Sequence, residues 1–546
     1  MTVSNVLRWF HTIRHLRPVQ IYGRLWFRLH HPLIDLSPAP PARILNAKAV
    51  LTGWRGSSLL FPMVFRFLNE EHELAGVDDW DNPSVGKLWR YNLHYFDDLT
   101  AEGAETRTKC HHELMLRWVD ENPPGHGMGW EPYPTSLRMV NWIRWSLAGG
   151  ILSPECMQSL AVQARWLSEK LEHHLLGNHL WANAKALVFA GMFFDGSEAV
   201  RWLTVGLKLL RRELQEQVLE DGGHFERSPM YHAIVLSDLL DLVELSVIYP
   251  DALPMNDVSA WREIIPRMLY WLAVMTNPDG KIALFNDAAF GIAPRLRDLE
   301  DGAKALGIVF DNYLEGPMHN LPETGYVRLQ KGPAVVIADL GEIGPDYMPG
   351  HAHADTLSFE MSLYGQRVIV DTGTSRYDVS DERMMQRGTS AHNTVQVDEE
   401  DSSEVWSSFR VARRARPFDL TVRQDHNLLI IDASHDGYKR LNGSPVHRRH
   451  WSLSDRSLLI QDIIDGSFTN AVSRFHFHPD LMVVAEDNCE AGTLRLLHGE
   501  KIIWHAKGGG KSLVTSTYHP EFGLSIPNRC LNVEFEGNIC EVKFTW

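Results

Sequence analysis

Three imidazoles and two carboxylates fall close together between positions 351 and 392. His351, His353 and Asp355 alternate in Met348-Pro-Gly-His-Ala-His-Ala-Asp-Thr-Leu357. Asp371 follows in Val370-Asp-Thr-Gly373, and His392 in Ala391-His-Asn-Thr394. Two His and one carboxylate suit Zn²⁺, and the same groups suit proton transfer near neutral pH. The plain alternative is a set of loop histidines that do neither.

What these groups can share depends on the strands around them. Leu357, Phe359, Met361 and Leu363 alternate with Ser358, Glu360 and Ser362, which predicts a strand over 357–363. Tyr364-Gly-Gln366 reads as a turn and Arg367–Asp371 as the returning strand. If 351–363 were one straight strand, His353 would lie about 20 Å from Asp371, at about 3.3 Å per residue. Either Asp371 shares no metal with His353, or residues 351–355 curl back after Pro349-Gly350. Asp355 is the alternative carboxylate ligand.

Two further stretches carry polar groups into helices. Asn178, in Gly177-Asn-His179-Leu-Trp-Ala-Asn183, is either a helix N-cap or a side-chain amide donor. In Asp221-Gly-Gly-His-Phe-Glu226-Arg227-Ser228-Pro229-Met-Tyr231-His232, Ser228 reads as an N-cap and Pro229 as the first helical residue. Tyr231 then lies in the first turn, where the positive helix end favours a phenolate. Packing is its alternative role.

These groups sit in a chain of 546 residues, too long for one ordinary core. Residues 1–85 mix one or two helices with the Pro-rich connector Leu36-Ser-Pro-Ala-Pro-Pro-Ala42. Amphipathic helices are expected over 108–120, 135–149, 154–173, 180–193, 197–219, 230–249 and 258–276. Past Glu315-Gly-Pro317 the period becomes that of short strands between turns, with a boundary near 317–325. The expected architecture is an α+β chain of three parts. An N-terminal extension (1–85) packs on stacked helical hairpins (86–318), arranged as a solenoid or a closed toroid, and an antiparallel β-domain follows (319–546).

Composition sets limits. Formal charge is −16, which disfavours a nucleic-acid binder. Arg410–Arg416 and His447–His450 are local basic runs, read equally well as an anion site or as solvated strand faces. Five scattered cysteines without a Cys-x-x-Cys fit reduced thiols, with Cys530 and Cys540 the one pair that a terminal hairpin could face. No stretch has the length of a membrane span. The basic, amphipathic N-terminus lacks a signal peptide's uninterrupted apolar core, so the cytoplasm is expected, with the periplasm as alternative.

Taken together, Asn178-His179, Glu226-Arg-Ser-Pro-x-Tyr231-His232, His351-x-His353-x-Asp355, Val370-Asp-x-Gly373 with Tyr377, and Ala391-His-Asn-Thr394 resemble the motif series of the heparinase II/III-like polysaccharide lyases. The series runs in the order of that family, which includes heparinase II, heparinase III and related alginate lyases. The resemblance implies an (α/α) toroid before an antiparallel β-sandwich, and a largely structural Zn²⁺ held by His353, Asp371 and His392. It also implies β-elimination at a uronic acid of an acidic polysaccharide or oligosaccharide. In that chemistry donors must neutralise the uronate carboxylate before the weakly acidic C5 proton can leave. Asn178 and His179 would supply them. Tyr231 would be the base, helped by the helix end or Arg227, and also the acid at O4, while His351 would be a second acid/base. Glu226, Arg227, Tyr377 and Arg387 would line the substrate site. The rivals are a non-catalytic polysaccharide-binding protein and a toroid glycoside hydrolase, for which Asp221 and Glu226 are the nearest carboxylate pair.

Overall fold

A computed structural model describes residues 3–45, 47, 49, 53–250, 252–311 and 314–546. Helices Thr108–Glu121, Pro132–Leu147, Pro154–Glu169, Gly177–Phe193, Ser197–Gln217, Pro229–Ile248 and Met255–Val274 form where the periodicity places them. Lys87–Tyr95 and Leu296–Ala305 are two further helices, of nine and ten residues, that the sequence reading did not separate. Proline opens the Pro132, Pro154 and Pro229 helices, where its missing N–H would be unpaired in any residue. Ser153 and Ser228 cap the last two by accepting the N–H of Cys156 and of Tyr231. Short loops join the successive helices around one core, in which Trp118 and Trp142 meet edge to face with centroids 5.8 Å apart. This is the packing expected of helical hairpins.

The N-terminal segment is laced onto that body. Helices Val3–Ile13 and Pro18–Leu29 precede the Pro-rich connector, whose Ser37 and Pro38 carbonyls accept from Arg165 at 2.6 and 3.0 Å. Lys170 donates to the carbonyls of Phe27 and His30. A small three-stranded sheet over Leu59–Glu73 was not anticipated, because its charged Glu70–Glu73 strand shows no apolar alternation.

Strands of the second half begin at Met318 and pair antiparallel into a nine-stranded and an eight-stranded sheet. The inner faces meet through Val336, Phe359 and Phe475 of one sheet and Trp451, Ile460 and Phe544 of the other. The strand Lys501–Lys507 escaped the sequence reading because polar residues interrupt it, and His447–His450 does lie on a strand, Val446–Leu453, but with His447 and Arg449 buried and not solvated. The terminal hairpin that could face Cys530 with Cys540 does not form: Ile526–Glu534 lies in the nine-stranded sheet and Ile539–Thr545 in the eight-stranded one. Cys530 and Cys540 are accordingly free thiols, as are the other three cysteines. The basic runs prove to be internally paired, Arg413 with Glu404, Arg414 with Asp346 and Arg449 with Asp462.

Candidate active site

A cleft of about 1450 Å³ opens between the helical body, the N-terminal helices and the loops of the nine-stranded sheet. Asn178, His179, Glu226, Tyr231, His351 and Tyr377 all line it. The Tyr231 and His351 rings lie 4.1 Å apart, and the Tyr231 hydroxyl meets that of Tyr377 at 3.1 Å. The hydrolase alternative loses its carboxylate pair. Asp221 is bound to Thr324 through both N–H and hydroxyl, outside this cleft.

Each group owes its place to a local device. The Gly177–Phe193 helix is preceded by Leu176 at the cap position, so Asn178 is not the cap but a first-turn residue at the cleft wall. His179 lies over the Tyr133 ring at 4.5 Å and reaches Glu172 Oε1 at 3.1 Å. Burial opposes charging of His179, but Glu172 and Glu226 outweigh it and raise its pKa. A cationic imidazole beside an amide is a fitting partner for a carboxylate. Glu226 is buried, and burial raises its pKa against the opposing pull of His351 and His179.

Tyr231 departs from the sequence expectation. Burial, then Tyr377 and Asp287, push its phenol well above the usual tyrosine range, despite its place in the first helical turn. Arg227 gives no help there. Its backbone takes φ +60°, turning the side chain away from the cleft to the Glu342 and Glu323 carbonyls. Arg387 is likewise not a cleft residue. It is fully buried, donates to the Ala352 carbonyl at 2.8 and 3.1 Å and to Ser407, and burial lowers its pKa to about 9. By clamping Ala352 it holds the loop that carries both histidines.

That loop does curl. Ser358 donates to the Asp355 carbonyl at 2.8 Å, Leu357 takes φ +64°, and the strand starts only at Phe359. Asp287 is the hub that sequence reasoning missed, since an isolated Asn-Asp pair gives no signal. Its fully buried carboxylate accepts from Arg383, from His351 Nδ1 at 2.8 Å and from His353 Nε2 at 2.9 Å. Burial opposes ionisation, but Arg383 and the two histidines hold its pKa well below the usual carboxylate range. With Nδ1 donating to Asp287, His351 is left with Nε2 3.6 Å from Glu226.

Behind the cleft, Asp371 accepts from His392 Nδ1 at 2.7 Å, and the His353 and His392 rings stand 5.2 Å apart. Gly373 permits this turn, because a Cβ there would lie 2.4 Å from the His519 carbonyl oxygen. His353 Nδ1 and His392 Nε2 are both buried and unpartnered. Burial is the main cause raising the Asp355 pKa nearby, with Asp371 adding to it. Among the described residues no three side chains converge in a metal-binding arrangement. The two orphan nitrogens are nonetheless the atoms a cation would satisfy.

A family model described as heparinase II/III N-terminus matches residues 104–304, and one described as heparinase II/III-like, C-terminal matches residues 314–546. A heparin-sulfate lyase of Bacteroides stercoris is 26% identical over 326 residues, 56% of this chain and 46% of its own. The chain thus spans about half the length of that relative. FtsZ-localized protein C of Caulobacter vibrioides is 24% identical over 432 residues, 74% of this chain and 72% of its own. Among solved structures, heparinase III shares the fold with a TM-score of 0.66 at 16% identity, covering 96% of this chain and 88% of its own.

Proposed function

The chain belongs to the heparinase II/III-like family, and on that premise we propose that it is a polysaccharide lyase acting on a uronic-acid-containing glycan by β-elimination. The observation that carries this reading is the convergence of Asn178, His179, Tyr231 and His351 on one cleft, with Tyr231 against His351. Asn178 and His179 neutralise the uronate carboxylate, which stabilises charge developing as C5 loses its proton. His351, fixed through Nδ1 by Asp287, presents Nε2 as the base. Tyr231, a neutral phenol in the resting site, gives its proton to the departing O4. The C5–H electron pair becomes the C4–C5 double bond as the C4–O4 bond breaks.

The substrate is a sparsely sulfated or unsulfated acidic polysaccharide, of the heparosan or bacterial exopolysaccharide kind. Among the described residues, six of the nine lysines and arginines lining the cleft are already neutralised within the protein, Lys87 by Glu131, Arg144 by Asp241, Lys185 by Asp238 and Asp241, Arg55 by Asp97, Arg376 by Asp378 and Glu382, and Arg414 by Asp346, which leaves Arg24, Arg28 and Arg410. A densely sulfated chain would need such cations free. His353, His392 and Asp371 would hold Zn²⁺, which would fix the histidine loop and satisfy the two orphan nitrogens.

Product mass tests the reaction class. Elimination leaves fragments whose masses sum to that of the parent chain, one of them with an unsaturated end, whereas fragments heavier by one water per cleavage would establish hydrolysis. A second reading has support of its own. FtsZ-localized protein C, named for where it localises, aligns over more of this chain than the B. stercoris lyase does. Tight polymer binding without any product would favour that reading, a non-catalytic binding protein.

A further inference from the structure

The N-terminal helix pair presents apolar faces that neither the core nor the catalytic groups use. Val6, Phe10 and Ile13 recur one turn apart on Val3–Ile13 and are 54%, 58% and 46% exposed. Tyr22, Trp26 and Leu29 do the same on Pro18–Leu29, at 61%, 64% and 78%. Leu33, just beyond, is 96% exposed.

Loose seating does not explain this, because the opposite faces are firmly held. Gly23 packs so closely that a Cβ there would lie 3.1 Å from that of His174. Buried Gln20 donates to the Tyr347 carbonyl, Lys170 sits 4.1 Å above the Phe27 ring, and Trp9 meets Trp406 edge-on.

Charge identifies the missing partner. Residues 3–31 contain Arg8, Arg14, Arg17, Arg24 and Arg28 and no Asp or Glu, in a chain of net charge −16. Among the described residues, Arg17 pairs with Glu216, while exposed Arg14, Arg24 and Arg28 have no carboxylate partner. A second copy of this segment would cover the apolar faces but set arginines against arginines. A soluble polyanion would pair the arginines and leave Trp26 and Leu29 in water.

We propose that the helix pair docks on the surface of an anionic lipid bilayer, its apolar faces in the interfacial layer and its arginines among the headgroups. Ile13, Ile21, Arg24 and Leu25 also form part of the cleft wall. Docking therefore brings the cleft mouth to the membrane surface, where a glycan attached to or emerging from the bilayer would meet it. The docking itself does not depend on the reaction assigned to the cleft.

Vesicle flotation of the full chain tests this directly. Vesicles of equal phosphatidylglycerol and phosphatidylcholine are expected to carry the protein upward, and pure phosphatidylcholine vesicles to leave it behind. Trp26→Glu with Leu29→Glu, both outside the cleft lining, should cut binding roughly tenfold or more with an unchanged melting temperature. Arg14→Gln should cut it roughly fivefold, and added salt should weaken what remains. Failure to float with the anionic vesicles would overturn the proposal. So would undiminished flotation of the double variant, or a dimer in sedimentation that the double variant dissolves without any vesicle binding.

Discussion

Two buried aspartates in this molecule are dressed almost alike and do different things. Asp462, between the β-sheets, accepts from Arg449 at 2.6 and 2.8 Å, from His447 at 2.8 Å and from Ser473 at 2.8 Å. Asp287, at the cleft, accepts from Arg383 and two histidines. Burial opposes ionisation of both, and an arginine holds both below the usual carboxylate range. The difference lies one atom further out. The second nitrogen of His447 meets His435 at 3.2 Å, which closes the network. That of His351 opens on the cleft, and that of His353 has no partner. A saturated network stabilises the fold; unspent hydrogen-bonding capacity at a cavity marks chemistry.

The sharpest way to break this contrast is substitution on each side. Tyr231→Phe is expected to lower turnover by about 10³-fold or more with an unchanged melting temperature, read by initial rates and calorimetry. Asp462→Ala should do the reverse, costing about 3–5 kcal/mol in denaturant titrations because Arg449 is left buried and unpaired, while activity per folded molecule holds. If both variants lost activity in proportion to stability, the contrast would collapse.

Metal content sharpens the cleft side. His353→Ala is expected to take bound zinc, measured by elemental analysis of the purified chain, from about one per molecule to none. It should also lower the melting temperature. Acid titration sharpens the other side. An unfolded aspartate titrates near 3.9, and Asp462 titrates lower when folded. Its stabilisation is therefore complete at neutral pH and disappears as pH falls through the folded value. In Asp462→Asn, urea midpoints followed downward from neutral pH should show a shallower acid decline than the parent chain. The smallest effect belongs to Arg227→Gln. Its bonds join carbonyls of the β-half to the end of a helical loop, so a loss of about 1 kcal/mol with unchanged KM is expected. A raised KM would return Arg227 to the substrate.

The same contrast explains how much was legible in the sequence. Long helices are readable because their faces bury apolar residues at helical spacing and Pro154 and Pro229 mark two of their starts, whereas the helix expected from 135 begins at Pro132. Capping rules place Ser228 and Tyr231, and Pro349-Gly350 allows the curl that the structure shows. Side-chain direction was not readable. Arg227 follows the cleft residue Glu226 and Arg387 comes five positions after Glu382, yet both turn away, one through a left-handed backbone, the other onto the Ala352 carbonyl. The phenolate expected at Tyr231 rests on the helix end or on Arg227; burial overrides the first, and the second turns away to the Glu342 and Glu323 carbonyls. Asp287 and Arg383 lie 96 positions apart and become one ion pair only through tertiary folding. Spacing likewise could not separate His351-x-His353 from His447-Arg-Arg-His450, because it does not report which nitrogens remain unpaired.

The most direct test of the lyase reading is the ultraviolet absorbance of C4–C5 unsaturated uronate ends. It would be followed with heparosan, heparan sulfate, hyaluronan, alginate and an acidic bacterial exopolysaccharide, for the parent chain and Tyr231→Phe side by side. A rise with one of these polymers that disappears in the folded Tyr231→Phe variant is the predicted result. New reducing ends without absorbance, or a rise that Tyr231→Phe leaves intact, would contradict the account.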